Sequence, residues 1–324
     1  MIPDKPPAVK QSGVRLDSQG GGNRMDTKVR TRTRRTIVIS GFRLQISVLQ
    51  KSALVVLLLL LFAVPARAMF EENESGVRAE GMGSAFTAVA DDAGAVDFNP
   101  AGLFQVEAAQ AQVFGKLLYG GAGAGLHTAH GVVCMPVGKV GTMGLRFQET
   151  GFSLESQRSL KFAHGFRLAE GLGFGYGLNG YNLSQTNFGQ GFAFGLDVGM
   201  FARIYKMWSV GFYAHNVNMP RIGNGIGNGD LPRLLVLGLG FSPQAGINSA
   251  VDISKEPGQP TRVSVGQEFT IVEHYLVLRA GVQTEPVRLS FGFRTGLARV
   301  HLDYAFRTHP TLPVTHDLGL ALDF

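Results

Sequence analysis

The sequence predicts an all-β fold: a transmembrane antiparallel β-barrel of about fourteen strands with a small N-terminal plug, or hatch. Three observations predict it. Thr315 to Phe324 puts Leu318, Leu320, Leu322 and Phe324 on one face and Asp317, Gly319, Ala321 and Asp323 on the other. That alternation of period two recurs in segment after segment, most of them near the length of about 9 to 11 residues that a tilted membrane strand needs. The one long apolar run, Leu54 to Val64, falls short of the roughly 20 residues of a membrane helix.

The elements follow in order along the 324 residues. Lys51, the apolar run and Ala66-Arg67-Ala68 give the basic, apolar, Ala-x-Ala order of a secretory signal peptide, with cleavage expected after Ala68. Residues 1–68 are therefore a leader. Counted from Met1 it far exceeds the usual span of about 15 to 30 residues, so residues 1–24 are set aside as untranslated. Met25 and a non-Met start near Val48 are the alternative starts.

The leader also carries the excess charge. Of 30 Lys+Arg and 24 Asp+Glu it holds 12 and 3, leaving 18 basic and 21 acidic residues and a net of −3. The overall +6 is thus no argument for a nucleic-acid partner. Cys134 is the single cysteine; it allows no internal disulfide and reads as a small apolar wall residue.

Residues 69–104 form the predicted plug segment. From Gly76 to Leu103 they do not alternate, are rich in small residues, and close on the turn Asn99-Pro100-Ala101-Gly102. A barrel of about fourteen strands is wider than the filled eight-stranded case, so its lumen needs an occupant.

Residues 105–324 form the predicted barrel, with alternating segments at 108–118, 123–136, 140–149, 157–167, 171–184, 190–203, 207–216, 231–241, 246–254, 261–271, 274–284, 286–294, 297–307 and 315–324. Every second connection is tight, as at Val137-Gly138-Lys139 and Thr295-Gly296. Longer ones are expected at Thr150 to Ser156, Val217 to Asp230, Lys255 to Pro260 and Thr308 to Val314, on the outer side of the membrane. A soluble sandwich would share the period.

A charged side chain facing lipid costs about 2 to 4 kcal/mol at the midplane, so the charged face must be lumenal. This places Arg146, Lys161, Arg167, Asp197, Arg279, Arg288, Arg294, Arg299, His301, Asp303 and Asp317 in the lumen. Buried charges must be paired, so they are expected to pair with one another or with Glu80, Asp91, Asp92 and Asp97. Gly171, Gly173, Gly175 and Gly177 are expected to give the plug room at the wall. Leu320, Leu322 and Phe324 are expected to form a C-terminal signal for the barrel assembly machinery. Trp208, Tyr205, Tyr213, Tyr275 and Tyr304 are expected to contribute to the aromatic girdle.

No catalytic motif is present and no cofactor or metal is expected; the chain is read as a non-enzyme. His127 and His130, at odd spacing, fall on opposite faces of one strand. The acids near Asp91 fit no calcium loop, and no glycine cluster completes a nucleotide loop.

The motif Gly81-Met82-Gly83-Ser84-Ala85-Phe86-Thr87-Ala88-Val89-Ala90-Asp91-Asp92-Ala93, followed by Asn99-Pro100-Ala101-Gly102-Leu103, resembles the FadL-like outer-membrane barrel superfamily, within it the PorV/PorQ-type branch. The resemblance implies a fourteen-stranded barrel in the outer membrane of a diderm bacterium. It implies a hatch whose motif residues are Gly81, Met82, Gly83, Phe86, Asp91, Asp92, Asn99, Pro100 and Gly102. It also implies transport, either of hydrophobic small molecules or, as a type IX secretion component, of exported proteins. The outer loops are short for a large fatty-acid capture groove. The implied partners are outer-membrane lipid and the transported molecule or protein.

Overall fold

The computed structural model describes residues 70, 76–121, 126–223, 229–273 and 275–324, all within the unit Arg67–Phe324. The leader, its cleavage point and its alternative starts lie outside the described residues, as do the start of the second predicted strand and Asn224 to Asn228 of the longest loop.

The wall is built from β1 (Gln110–Leu117), β2 (His127–Pro136), β3 (Thr142–Phe152), β4 (Glu155–Ala169), β5 (Leu172–Gln185), β6 (Gly189–Ile204) and β7 (Trp208–His215). After the two-residue strands β8 (Arg221–Ile222) and β9 (Gly229–Asp230) it continues through β10 (Leu234–Gln244), β11 (Ile247–Lys255), β12 (Arg262–Val272) and β13 (Leu276–Gln283). It ends with β14 (Arg288–Leu297), β15 (Val300–Arg307) and β16 (Thr315–Asp323). Apart from β8 and β9, which pair with each other, these strands form a closed antiparallel barrel of fourteen. Closure excludes the open sandwich. The seam joins β1 to β16 with Gln110 opposite Asp323, and the Phe324 amide donates to the Ala109 carbonyl at 2.9 Å.

The alternation sorts the side chains. On β16, Leu318, Leu320 and Leu322 are exposed while Asp317 and Ala321 are buried; β14 exposes Leu289, Phe291 and Phe293 around the buried Ser290. The apolar residues thus face outward and the polar ones inward, the reverse of a water-soluble barrel.

Two ladders run further than the sequence pattern suggested. Thr150 to Ser156 is no loop: Phe152 pairs with Glu155, so β3 and β4 meet in a hairpin at Ser153-Leu154. Thr295 and Gly296 pair with Leu302 and His301 inside β14 and β15, which moves the turn to Ala298-Arg299. Cross-strand bonds, absent from any local pattern, decide where a strand stops. Arg299 consequently sits exposed in a turn, not in the lumen.

β6 outruns its neighbour. It has 16 residues against 8 for β7, and their ladder ends at Val198 opposite Ala214. Beyond it Asn218 stands in for a strand, its side chain bonding the Leu196 amide at 2.9 Å and the Phe194 carbonyl at 2.8 Å.

The N-terminal segment holds two helical turns, α1 (Val77–Gly81) and α2 (Ala95–Phe98), and a 3₁₀ turn Pro100–Gln105. Asn99 starts the 3₁₀ turn, its side-chain oxygen accepting from the Ala101 amide at 3.2 Å. Pro100 follows where a missing N–H costs nothing. Gly83 and Ser84, at φ 65° and 64°, reverse the chain after α1. The segment's Met82, Ala85, Phe86, Ala93, Val96, Phe98 and Leu103 join wall residues Val132, Cys134, Ala163 and Ala250 in one apolar cluster. Cys134 is buried there.

Candidate functional site

Where the N-terminal segment meets the inner wall, the fit is made by backbone touching backbone. A Cβ on Gly83 would lie 2.9 Å from the Val282 nitrogen, and one on Gly175 would run into Pro100 and Ala101. Gly173 leaves room for the Phe104 ring. The other two glycines of that strand pattern do something else. Gly177 borders Lys161 and Asp197, and Gly171 turns the chain at φ 70°.

Met82, Phe86 and Asn99 are fully buried. The Phe86 ring meets Phe98 edge-on at 5.5 Å. Asn99 donates to the Thr87 carbonyl at 2.9 Å and to the Met200 carbonyl of β6 at 3.1 Å, tying two parts of the segment to the wall. Gly81 passes beside Arg279 and Gly292, and Gly102 passes against the Ala90 carbonyl.

Charge fixes the segment at four places. Asp97 of α2 accepts from Arg146 Nε at 2.9 Å and pairs with His130 Nε2 at 2.8 Å; Arg146 also bonds Ser159. Burial alone would raise the Asp97 carboxyl, but Arg146 and the His130 hydrogen bond hold it at about 2. Glu80 of α1 pairs with Lys116 at 2.9 Å and Arg307 at 2.8 Å. Arg78 joins Asp91 at 2.6 Å, Asp92 at 3.0 Å and Glu268 at 2.9 Å. The chain of charge continues through Arg279, which bonds Glu268 and Asp303, to Arg294. At the fourth place Asp252 Oδ2 accepts from the Phe86 and Thr87 amides at 3.0 and 2.9 Å.

A further cluster lies on the wall itself. Lys161 Nζ is 2.6 Å from Asp197, and Tyr213 bonds both Lys161 and Asp197. Tyr213 is therefore lumenal and buried, not part of the girdle; its parity on β7 is that of Gly211 rather than of the exposed Phe212. Asn216 links this cluster to the loop after β7 through the Tyr181 hydroxyl, the Asp197 carboxylate and the Pro232 carbonyl. Ile222 and Leu231 of that loop pack with Phe70, Tyr181 and Leu183.

The remaining sequence-selected residues are dispersed. Arg167 is exposed on β4, over the Phe104 ring at 5.4 Å. Arg288 is half-buried, and His301 pairs with Asp323 at 3.1 Å. Asp317 is buried, and Phe324 is exposed at the barrel's end. Trp208, Tyr205 and Tyr275 are exposed at the tight-turn end. Lys116, Asp252 and Glu268 were missed as partners of the segment; each occupies an inward position of a strand, a parity signal the sequence carried.

A cavity of about 400 Å³ opens between the segment and the β6–β7 and β10–β11 turns. Ala88, Val89 and Phe201 give it an apolar part, Trp208 lines it, and Arg203 and Lys206 add positive charge. Among the described residues no group of three or more His, Cys, Asp or Glu is placed to hold a metal ion.

No protein-family model matches the chain, and no curated protein matches it. Solved structures do. A Pseudomonas aeruginosa FadL homologue superposes with a TM-score of 0.56 at 12% identity, over 77% of this chain and 98% of its own. The Ralstonia pickettii toluene transporter TbuX gives 0.57 at 11%, over 79% and 100%. The P. putida toluene transporter TodX gives 0.56 at 10%, over 78% and 99%. At these identities the likeness is one of fold.

Proposed function

We propose that this protein is an outer-membrane channel for small hydrophobic molecules, gated by its N-terminal segment. The observation that carries the reading is a segment of some thirty residues seated against the inward face of a closed fourteen-stranded barrel whose outward face is apolar. The fold shared with two toluene transporters supports the solute class, and the apolar patch Ala88, Val89 and Phe201 supports a route along the segment's edge. The paired lumenal charges serve to seat the gate, because a buried ion pair fixes geometry more than it adds stability.

The test is toluene flux into proteoliposomes. Deleting Gly81 to Gly102 should raise the flux and remove its selectivity for small apolar solutes. Unchanged permeability would sink the proposal.

The open edge of β6 favours a second reading, docking of exported proteins at the outer rim. Among the described residues Gly189 to Ala193 have a ladder partner on the β5 side alone, and Phe188, Phe192 and Phe194 are exposed there, a surface able to take an extended chain. Loss of Val217 to Asp230 should then impair secretion, and normal secretion would remove the idea.

A further inference from the structure

The cavity at the tight-turn end has a lining that a purely apolar solute does not use. Ala88 and Val89 from the segment and Phe201 from β6 give it an apolar floor, with Met207, Trp208, Pro243 and Ala245 at the turns. Gln105, Ser209, Ser242 and Asn248 interrupt that apolar lining. At about 400 Å³ it lies near the lower end of small-molecule sites, which span roughly 300 to 1,000 Å³.

The charges of this cavity are arranged unlike those deeper in the barrel. Arg146, Lys161 and Arg279 each meet a carboxylate within 3 Å. Arg203 instead donates to the neutral Gln105 at 2.6 Å, and Lys206 has no acidic partner among the described residues. Asp91 also lines the cavity but is engaged by Arg78 at 2.6 Å. Two cations therefore border a small apolar patch without a carboxylate of their own.

We propose that this cavity binds a compact organic anion, a carboxylate on a single aromatic ring, with the ring on Phe201 and Val89 and the carboxylate between Arg203 and Lys206. The inference rests on the channel reading and extends it: beside neutral rings, the tight-turn end takes a ring that carries a negative charge. A carboxylate gains charge-assisted hydrogen bonds from both cations that a neutral ring does not.

Trp208 is the only tryptophan in the chain and lines the cavity, so its fluorescence reports binding there directly. The full barrel in non-ionic detergent is titrated with benzoate and with benzyl alcohol, a neutral ring of similar size. Benzoate should quench saturably and bind at least about 5-fold more tightly than benzyl alcohol, an advantage that salt reduces. Lys206→Gln and Arg203→Gln should each weaken benzoate by at least about 5-fold while leaving benzyl alcohol unchanged.

Equal affinity for the two rings, or unaltered benzoate binding in both variants, would overturn the inference. So would displacement of benzoate by an anionic phospholipid at equal concentration, which would make a lipid headgroup the occupant. Both side chains are exposed, and heat-modifiable migration checks that the variants are folded. If toluene crosses the protein while benzoate does not bind, this inference fails alone; if neither solute crosses, the channel reading fails with it.

Discussion

Replacing Asp97 by alanine isolates the most deeply buried of the four charge attachments. The carboxylate is shared by Arg146 and His130, and the Asp97, Arg146 and His130 side chains are each about 1% exposed. Removing one member of a buried pair costs about 3 to 5 kcal/mol, chiefly because it leaves the other charge buried and alone. At about 1.4 kcal/mol per decade, the equilibrium between seated and released segment should shift by roughly 10²-fold to a few times 10³-fold. Hydrogen exchange read by mass spectrometry on peptides from residues 76–106 measures that shift against the barrel strands as internal reference. Asp97→Leu combined with Arg146→Met removes both charges and should restore most of the protection, since an apolar pair of similar volume is often neutral or better. Wild-type exchange over Ala95–Phe98 in the single variant, or equally fast exchange in the double one, would refute the argument.

Acidification should act at the same place. Because the Asp97 carboxyl is held at about 2, below its ordinary value of about 3.9, its contribution is full above that value. It is lost as the pH falls towards 2, so segment protection should drop in that window. Asn99→Ala strips the donors from the Thr87 and Met200 carbonyls. Leaving the buried Thr87 carbonyl without its donor costs about 1 to 3 kcal/mol, and segment exchange should accelerate while the barrel's urea midpoint stays put. Leu320→Arg places a charge on the lipid face, where Leu320 is 49% exposed. It should cost about 2 to 4 kcal/mol in bilayer unfolding measurements, and no change would mean that this face does not meet lipid.

The wall was legible because its rule is local. Parity alone separates Leu318, Leu320 and Leu322 from Asp317 and Asp323, and each of the fourteen segments it marks overlaps one strand of the barrel. Strand ends were less legible. Arg299 looked lumenal by parity, but a side chain past the last ladder bond is released from the pleat. Tyr213 was misplaced for a different reason: tyrosine suits both the interface and a buried polar cluster, and only its partners on nearby strands of the same wall, Lys161 and Asp197, distinguish them. That the charges pair was expected, but which partner each takes could not be read. Asp97 meets Arg146 and Arg78 meets Glu268 through barrel closure, across 49 and 190 residues. The superposed channels share the fold alone; the family resemblance itself rests on residues 81–93 and 99–103.

The seam has a kinetic consequence. Among the fourteen wall strands, the seam alone joins strands far apart in sequence, Gln110 with Asp323, so its loop-closure entropy is the largest and its zipping the slowest. β1, which makes that seam, follows the N-terminal segment after only a few residues. The segment is thus carried to the last gap to be zipped, where an open seam gives it a lateral way to its seat against the inner wall. The order of events during assembly, and not the final contacts alone, then bears on whether the segment reaches that seat.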